Sequence, residues 1–333
     1  MAIVVGVDIA KHTFDIATLQ SNGKYHTKGK LSNDSTGFEV LQQWLLKYAE
    51  PQAWIAMEAT GIYHEALAEW LLARGYRVCV LNPAQIAYYA RSQLQRVKTD
   101  KVDAKLISDY GSRHQAELRA WQPDPPSIRR LKALVHRLKD LQELEQMEQN
   151  RLDVTRETKV KESINSVLEH LRQQIAETLE VIKQHFDDND DLRGQRDLLT
   201  SIDGIADRTA ALLLAELGDV QRFDNSRAVT AFAGLNPKLQ ESGKLKGHVR
   251  ISRMGSARLR AGLYMPAITS MSRNPAIRAM VERMKAKQAV IPGIPGGFIP
   301  LSIVVSWPSI NWPMQTRYAV GLCFWPDPCS APW

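Results

Sequence analysis

Four carboxylates draw attention by where they fall. Asp8 ends an apolar, β-branched run, Glu58 ends another, and Asp100 and Asp103 lie three apart in VKTDKVDAKLI. On a helix that spacing puts both aspartates on one face. Carboxylates at strand ends and on such a face can converge above a sheet edge. All-oxygen ligands suit Mg2+, and two ions about 4 Å apart stabilise both the attacking and the leaving oxygen of an in-line phosphoryl displacement. Four like charges in one place are costly without a cation, so the set is a candidate holder of two Mg2+ ions. Each residue also has a plainer reading. Asp8 fits a strand-end turn, Glu58 an exposed acid, and Asp100 and Asp103 fit partners for Lys98, Lys101 and Lys105. The order strand-Asp, strand-Glu, helix-DxxD favours the metal reading for the set.

Those positions need a sheet and a helix to hold them. IVVGVDIA (3–10) is apolar without alternation, the pattern of a central strand covered on both faces. Residues 14–33 read as two further strands joined at Asn22-Gly23, and AWIAMEAT (53–60) and YRVCVLNP (76–83) as two more. Ser35 is a candidate cap for a helix through Phe38, Leu41, Trp44 and Leu45; HEALAEWLLARGY (64–76) and Leu94–Tyr110 also read as helices. Hairpin strands followed by alternating strands and helices predict a mixed α/β sheet of about five strands.

Pro123, Pro125 and Pro126 mark a boundary. Beyond it, Leu131, Leu134, Leu138 and Leu141, then Ile164, Leu168, Leu171, Ile175, Leu179 and Ile182, keep helical spacing. This predicts two long amphipathic helices, as a solvated spacer, a dimer seam or an intramolecular hairpin. LLTSIDGIADRTAALLLAEL (198–217) reads as helix, Gly turn, helix, which is either a helix-hairpin-helix phosphate element or a plain αα-hairpin.

The net charge of +7 over 333 residues is unevenly placed. Residues 1–122 carry +2, 123–195 carry −3, and 196–288 carry +8. Such a concentrated basic segment points to a polyanionic partner, most often nucleic acid. Arg250, Arg253, Arg258 and Arg260 are spaced to offer phosphates a basic face. Tyr88, Tyr89, Arg91 and Arg96 suit stacking and backbone contact with nucleic acid, with core packing as good a reading for the tyrosines. Lys11 either contacts phosphate or neutralises the acids. Cys79, Cys323 and Cys329 are too few and scattered for a disulfide framework or zinc site. No apolar stretch is long enough to span a bilayer and no leader opens the chain, so no membrane partner and a reducing cytoplasm are expected. Residues 289–333 hold 8 of the 16 prolines and 4 of the 8 tryptophans but only Arg317 and Asp327 as charges. Their composition is that of translation in a shifted reading frame, or of a tail packing Trp307, Trp312 and Trp325 on the helical part.

GVDIAKHTFDIA, MEATGIYHEALAEWL, VLNPAQ and VKTDKVDAKLI resemble the DEDD-type transposases of the insertion-sequence-110 family, which includes bridge-RNA-guided recombinases and Piv-type DNA invertases. SIDGIADRTAALLLAELGDVQRF and FAGLNPKLQESGKLKGHVRISRMGSARLRAGLYMPA resemble the same family's C-terminal domain. The likeness covers about 1–288. It implies an α/β plus α architecture: an RNase H-like (RuvC-like) catalytic domain over 1–122, a coiled-coil spacer over 123–190, a mostly helical transposase domain over 191–288, and an atypical tail over 289–333. It places Asp8, Glu58, Asp100 and Asp103 on the four acidic positions that hold Mg2+, and Ser242 on the nucleophilic serine. From the residues alone, a serine before glycine in a basic loop reads as a turn residue. The resemblance further implies DNA as donor and target, a non-coding guide RNA, and a tetramer built from dimers with a composite active site. Lys244 and Lys246 join the basic residues around that serine. The alternatives are a Piv-type invertase without RNA guide, a Mg2+-dependent junction-resolving nuclease that needs no serine, and a non-catalytic nucleic-acid binder.

Overall fold

The structure, a computed structural model, describes residues 3–20, 22–59, 61–94, 99–223, 225–238, 241–242, 245–246, 250–252 and 254–286. It divides into two compact units, Met1–Pro123 and Asp124–Trp333. The tail expected to be out of frame lies outside the described residues.

The first unit is a five-stranded sheet with helices on both faces. Its strands are β1 (Val4–Ile9), β2 (Thr13–Leu19), β3 (Tyr25–Ser32), β4 (Trp54–Glu58) and β5 (Arg77–Leu81), in the order β3-β2-β1-β4-β5. The first three pair antiparallel, whereas β4 and β5 run parallel to β1. This is the mixed, RNase H-like arrangement. Alternation along the strands sorts the core into two layers. Val5, Val7, Ile9, Ile55 and Met57 pack with helices α1 (Ser35–Tyr48) and α2 (Glu65–Leu72). Val4 and Ala56 face the other way, into a layer with helices α3 (Pro83–Ser92) and α4 (Asp100–Arg113).

Two helix starts differ from the sequence pattern. Asp34, not Ser35, caps α1, accepting from Gly37 N at 3.1 Å. The helix expected over Leu94–Tyr110 starts later, at Asp100 under the Thr99 cap, and runs to Arg113, and a further helix, α3, precedes it. Pro83 does not merely stop β5. It is the first residue of α3, with Asn82 and Gln85 closing a reciprocal capping box.

The second unit opens with α5 (Pro126–Val154) and α6 (Thr158–Asp187). They are antiparallel: His185 Nε2 lies 2.8 Å from Ser127 O, and Arg172 Nε lies 3.0 Å from Glu145 Oε1. The apolar repeat therefore serves an intramolecular hairpin, in which Leu131, Leu138 and Leu141 share a core with Leu171, Ile175 and Ile182. The same core continues through α7 (Asp190–Thr200), α8 (Asp207–Leu217) and α9 (Ser226–Phe232). Four two-residue strands follow: β6 (Pro237–Lys238), β7 (Glu241–Ser242), β8 (Leu245–Lys246) and β9 (Arg250–Ile251). Helices α10 (Ala257–Arg273) and α11 (Pro275–Ala286) complete the unit. The turn between α7 and α8 lies against α10, where a Cβ on Gly204 would stand 3.0 Å from Thr269 Cβ.

Candidate active site

The register of the first unit decides where its acids go. β1 and β4 pair from Val4↔Trp54 to Val7↔Met57, so Asp8 and Glu58 are the next positions of the same ladder. They share the parity of Val4, Gly6 and Ala56, which face α4. The helix lies tight on that face. A Cβ on Gly6 would fall 2.2 Å from Ala104 O and 2.4 Å from Ser108 N, so only glycine admits this approach. Ser108 Oγ donates to Val4 O at 2.8 Å, and a Cβ on Gly111 would meet Val4 Cγ1 at 2.7 Å. Val4 thus lies beside 108–111 and Gly6 beside 104–108, so α4 runs opposite to β1. Two more strand residues advance about 6.6 Å, or about four helical residues. That brings Asp8 level with the first turn of α4, which holds Asp100 and Asp103.

Asp8, Glu58 and Asp103 are each half-buried, and Asp100 is described only as the first residue of α4. Among the described residues, no three His, Cys, Asp or Glu side chains stand close enough together to hold one metal ion. The donor chemistry nevertheless fits Mg2+: all four residues are carboxylates, with no thiolate or imidazole among them.

Neighbouring residues shape this edge. Lys11 is exposed in the β1–β2 turn, one strand end away from Asp8. Asn33, the last residue of the stretch read as two strands, carries no sequence signal of its own. Its Nδ2 donates to Ala10 O at 3.2 Å and Tyr63 O at 3.0 Å, joining the turn after β1 to the loop after β4. Asp15 stands opposite Asp8 in the antiparallel ladder and is only 4 % exposed. Its Oδ2 accepts from Lys30 N at 3.3 Å, which supports the left-handed Lys30 (φ 57) at the β2–β3 bulge.

The aromatic-basic stretch separates into two roles. Tyr88 is exposed, with the Arg91 guanidinium 5.8 Å from its ring centre. Tyr89 instead packs against Tyr110 and His114 and donates to Asp109 Oδ2 at 2.5 Å. Burial and that bond to a carboxylate push its phenol up to about 12. Arg96 lies outside the described residues.

In the helical unit, β6 pairs antiparallel with β9, and β7 pairs with β8 in the excursion between them. Ser242 is on β7, in register with Leu245 on β8. Lys246 and Arg250 lie on β8 and β9, while Lys244 and Arg253 lie outside the described residues. Arg258 and Arg260, expected on a basic face for phosphates, both meet partners within the unit. Arg260 Nη1 donates to Ala233 O and Gly255 O, each at 3.0 Å. Arg258 Nη1 lies 3.6 Å from Glu216 Oε1. Glu216, on α8, also meets His136 Nε2 at 2.9 Å and accepts from Ser256 Oγ at 2.8 Å. Burial pushes this carboxyl up, but the bonds from His136 and Ser256 and the nearby positive charge outweigh it and hold it below the ordinary glutamate value. Its one sequence signal was an acid inside the apolar run LLLAELG of a basic segment.

Comparison with known proteins fits both units. The IS110-type DEDD transposase family matches residues 5–157, and the IS116/IS110/IS902 transposase family matches residues 196–282. The pilin gene-inverting protein of Moraxella bovis is 32% identical over 313 residues, covering 90% of this chain and 94% of its own length. The chain belongs to the IS110 family of DEDD transposases. The transposase for insertion sequence element IS1328 of Yersinia enterocolitica is 25% identical over 300 residues, covering 81% of this chain and 84% of its own. This IS110-family transposase is therefore an enzyme of DNA recombination, and its family implies DNA binding and, in general, use of a divalent metal. No helix among the described residues is long and apolar enough to cross a membrane.

Proposed function

We propose that this transposase cuts and rejoins DNA through Ser242, with Asp8, Glu58, Asp100 and Asp103 as the metal-holding set. The observation that carries the acidic half is the β1–β4 ladder, whose next step is Asp8 beside Glu58 on the face covered by α4. A divalent cation held there would supply charge stabilisation for displacement at phosphorus and would favour an ionised serine. Ser242 Oγ attacks a DNA phosphorus, the P–O3′ bond breaks, and the freed 3′-oxygen takes up a proton. The Oγ–P ester keeps the phosphodiester's energy for rejoining. Lys11, Arg91, Arg96, Lys244, Lys246, Arg250 and Arg253 act on the phosphate backbone, where positive charge positions DNA without reading its sequence.

Residues 1–122 carry catalysis by the acids, 123–190 act as the spacer and 191–288 carry the serine. A structured guide RNA selects donor and target, and a tetramer joins the serine of one subunit to the acids of another. The likeness to a pilin gene-inverting protein favours a second reading, site-specific inversion without a guide. Purification of the chain from its own host, followed by sequencing of bound RNA, separates them. A discrete RNA supports guidance, and recombination by RNA-free protein supports the second reading. The serine is tested by digesting the protein–DNA adduct: the phosphodiester must map to the Ser242 peptide, and strand exchange by Ser242→Ala would remove the serine from the mechanism.

A further inference from the structure

The segment bearing Ser242 leaves the helical core after α9 and returns before α10. At that stem the two chain segments are bonded directly: Ser252 N donates to Asn236 O at 2.7 Å and Ser256 N to Phe232 O at 3.0 Å. The approach is close enough that a Cβ on Gly255 would lie 2.2 Å from Phe232 O and 2.5 Å from Gly234 N, at φ +156. Arg260 Nη1 then bridges both sides, donating to Ala233 O and Gly255 O at 3.0 Å each. Ala233 O belongs to the end of α9, where the last carbonyls lack helical partners. A guanidinium held by two carbonyls in a fixed fork is poorly placed to follow a DNA backbone. Below the stem, Ser256 Oγ caps α10 by accepting from Leu259 N and donates a hydrogen bond to Glu216, which His136 of α5 also meets.

We propose that Arg260 and Glu216 are positioning residues: Arg260 locks the stem of the Ser242-bearing excursion, and Glu216 fastens that stem to α8 and α5. Arg260 is then not a phosphate contact, although its charge and spacing resemble one. The assignment rests on the serine reading for its catalytic consequence, but not for the geometry of the stem.

The full-length protein with Arg260→Ala is compared with wild type by amide hydrogen exchange and by the salt dependence of binding to a short DNA duplex of arbitrary sequence. A stem lock predicts at least tenfold faster exchange at the Ser252 and Ser256 amides and an unchanged salt slope. It also predicts a tenfold or greater fall in turnover at saturating DNA from the element's own ends, with KM for DNA unchanged. A phosphate contact predicts a salt slope lower by about one, with exchange and saturated turnover unchanged. That result, or no change in exchange, overturns the proposal. If Arg260→Ala does not fold, Arg260→Lys decides, because it keeps the charge but its ammonium ends one bond short of the Nη1 position that meets both carbonyls. A phosphate contact tolerates that change and the stem lock does not. Ser242→Ala measured in parallel keeps the two ideas apart. Retained strand exchange there defeats the serine reading, while amide exchange still decides the stem.

Discussion

In the N-terminal unit, strand register and one glycine-permitted helix contact set Asp8 beside Glu58 at the end of the β1–β4 ladder, level with the start of α4; in the helical unit, the segment that bears the serine is fastened by side chains, Arg260 on two backbone carbonyls and Ser256 on the Glu216 carboxylate. Register is a property of the whole ladder, so the acidic edge tolerates changes of side chain that leave the strands paired. The serine stem depends on single bonds, and one substitution can loosen it. Chemistry and scaffold are thus separable in the first unit and entangled in the second.

The contrast is sharpest at the acids. Asp8→Asn or Glu58→Gln should reduce strand cleavage about a thousandfold, on the order of 4 kcal/mol of barrier, while the melting temperature holds because the backbone ladder is unchanged. A parallel fall in melting temperature would show that the edge is scaffold. Gly6→Val attacks the scaffold instead. A side chain there meets Ala104 O and Ser108 N, and the unit should lose about 3 kcal/mol or more as α4 is forced off β1. Denaturant unfolding measures this loss. Leu131→Ala, at a fully buried position of α5, should cost about 3 kcal/mol through the cavity left in the helical core, visible in the same experiment.

Smaller effects probe the stem and the surface. Because the folded Glu216 carboxyl sits below its ordinary value, its contribution to stability is complete above that ordinary value and is lost as pH falls through the folded one. Glu216→Gln should therefore flatten the acid limb of a melting-temperature series; an unchanged limb would mean that Glu216 does not hold the stem. Arg91→Ala, at an exposed position beside Tyr88, should weaken duplex binding a few-fold and lower its salt slope by about one, with no change in stability.

The same contrast explains what was legible in the sequence. The five strands follow from short apolar runs bounded by turn residues, the hairpin from Asn22-Gly23, and the two long helices from a 3.6-residue apolar period, all of them local patterns. Asp8 and Glu58 were visible because they end such patterns. Helix α3 is hidden in the sequence because the strand reading of YRVCVLNP runs to Pro83, although Asn82 and Gln85 carry a helix-start signature. Ser242 has no such pattern, and only likeness to a family singled it out. Arg260 and Arg258 show the opposite limit. Charge and spacing are visible in a sequence, but the carbonyl that Arg260 meets and the carboxylate that Arg258 meets lie 27 and 42 positions away. Asn33 likewise gains its role from Tyr63, 30 residues on.

The claim on which the rest depends is that the end of the β1–β4 ladder and the first turn of α4 form one metal site. Calorimetric titration of the full-length protein with Mn2+, beside Asp8→Asn and Glu58→Gln, tests it without recourse to DNA. The account predicts saturable binding to the wild-type protein that weakens at least tenfold in each variant. Equal binding by all three proteins would contradict it.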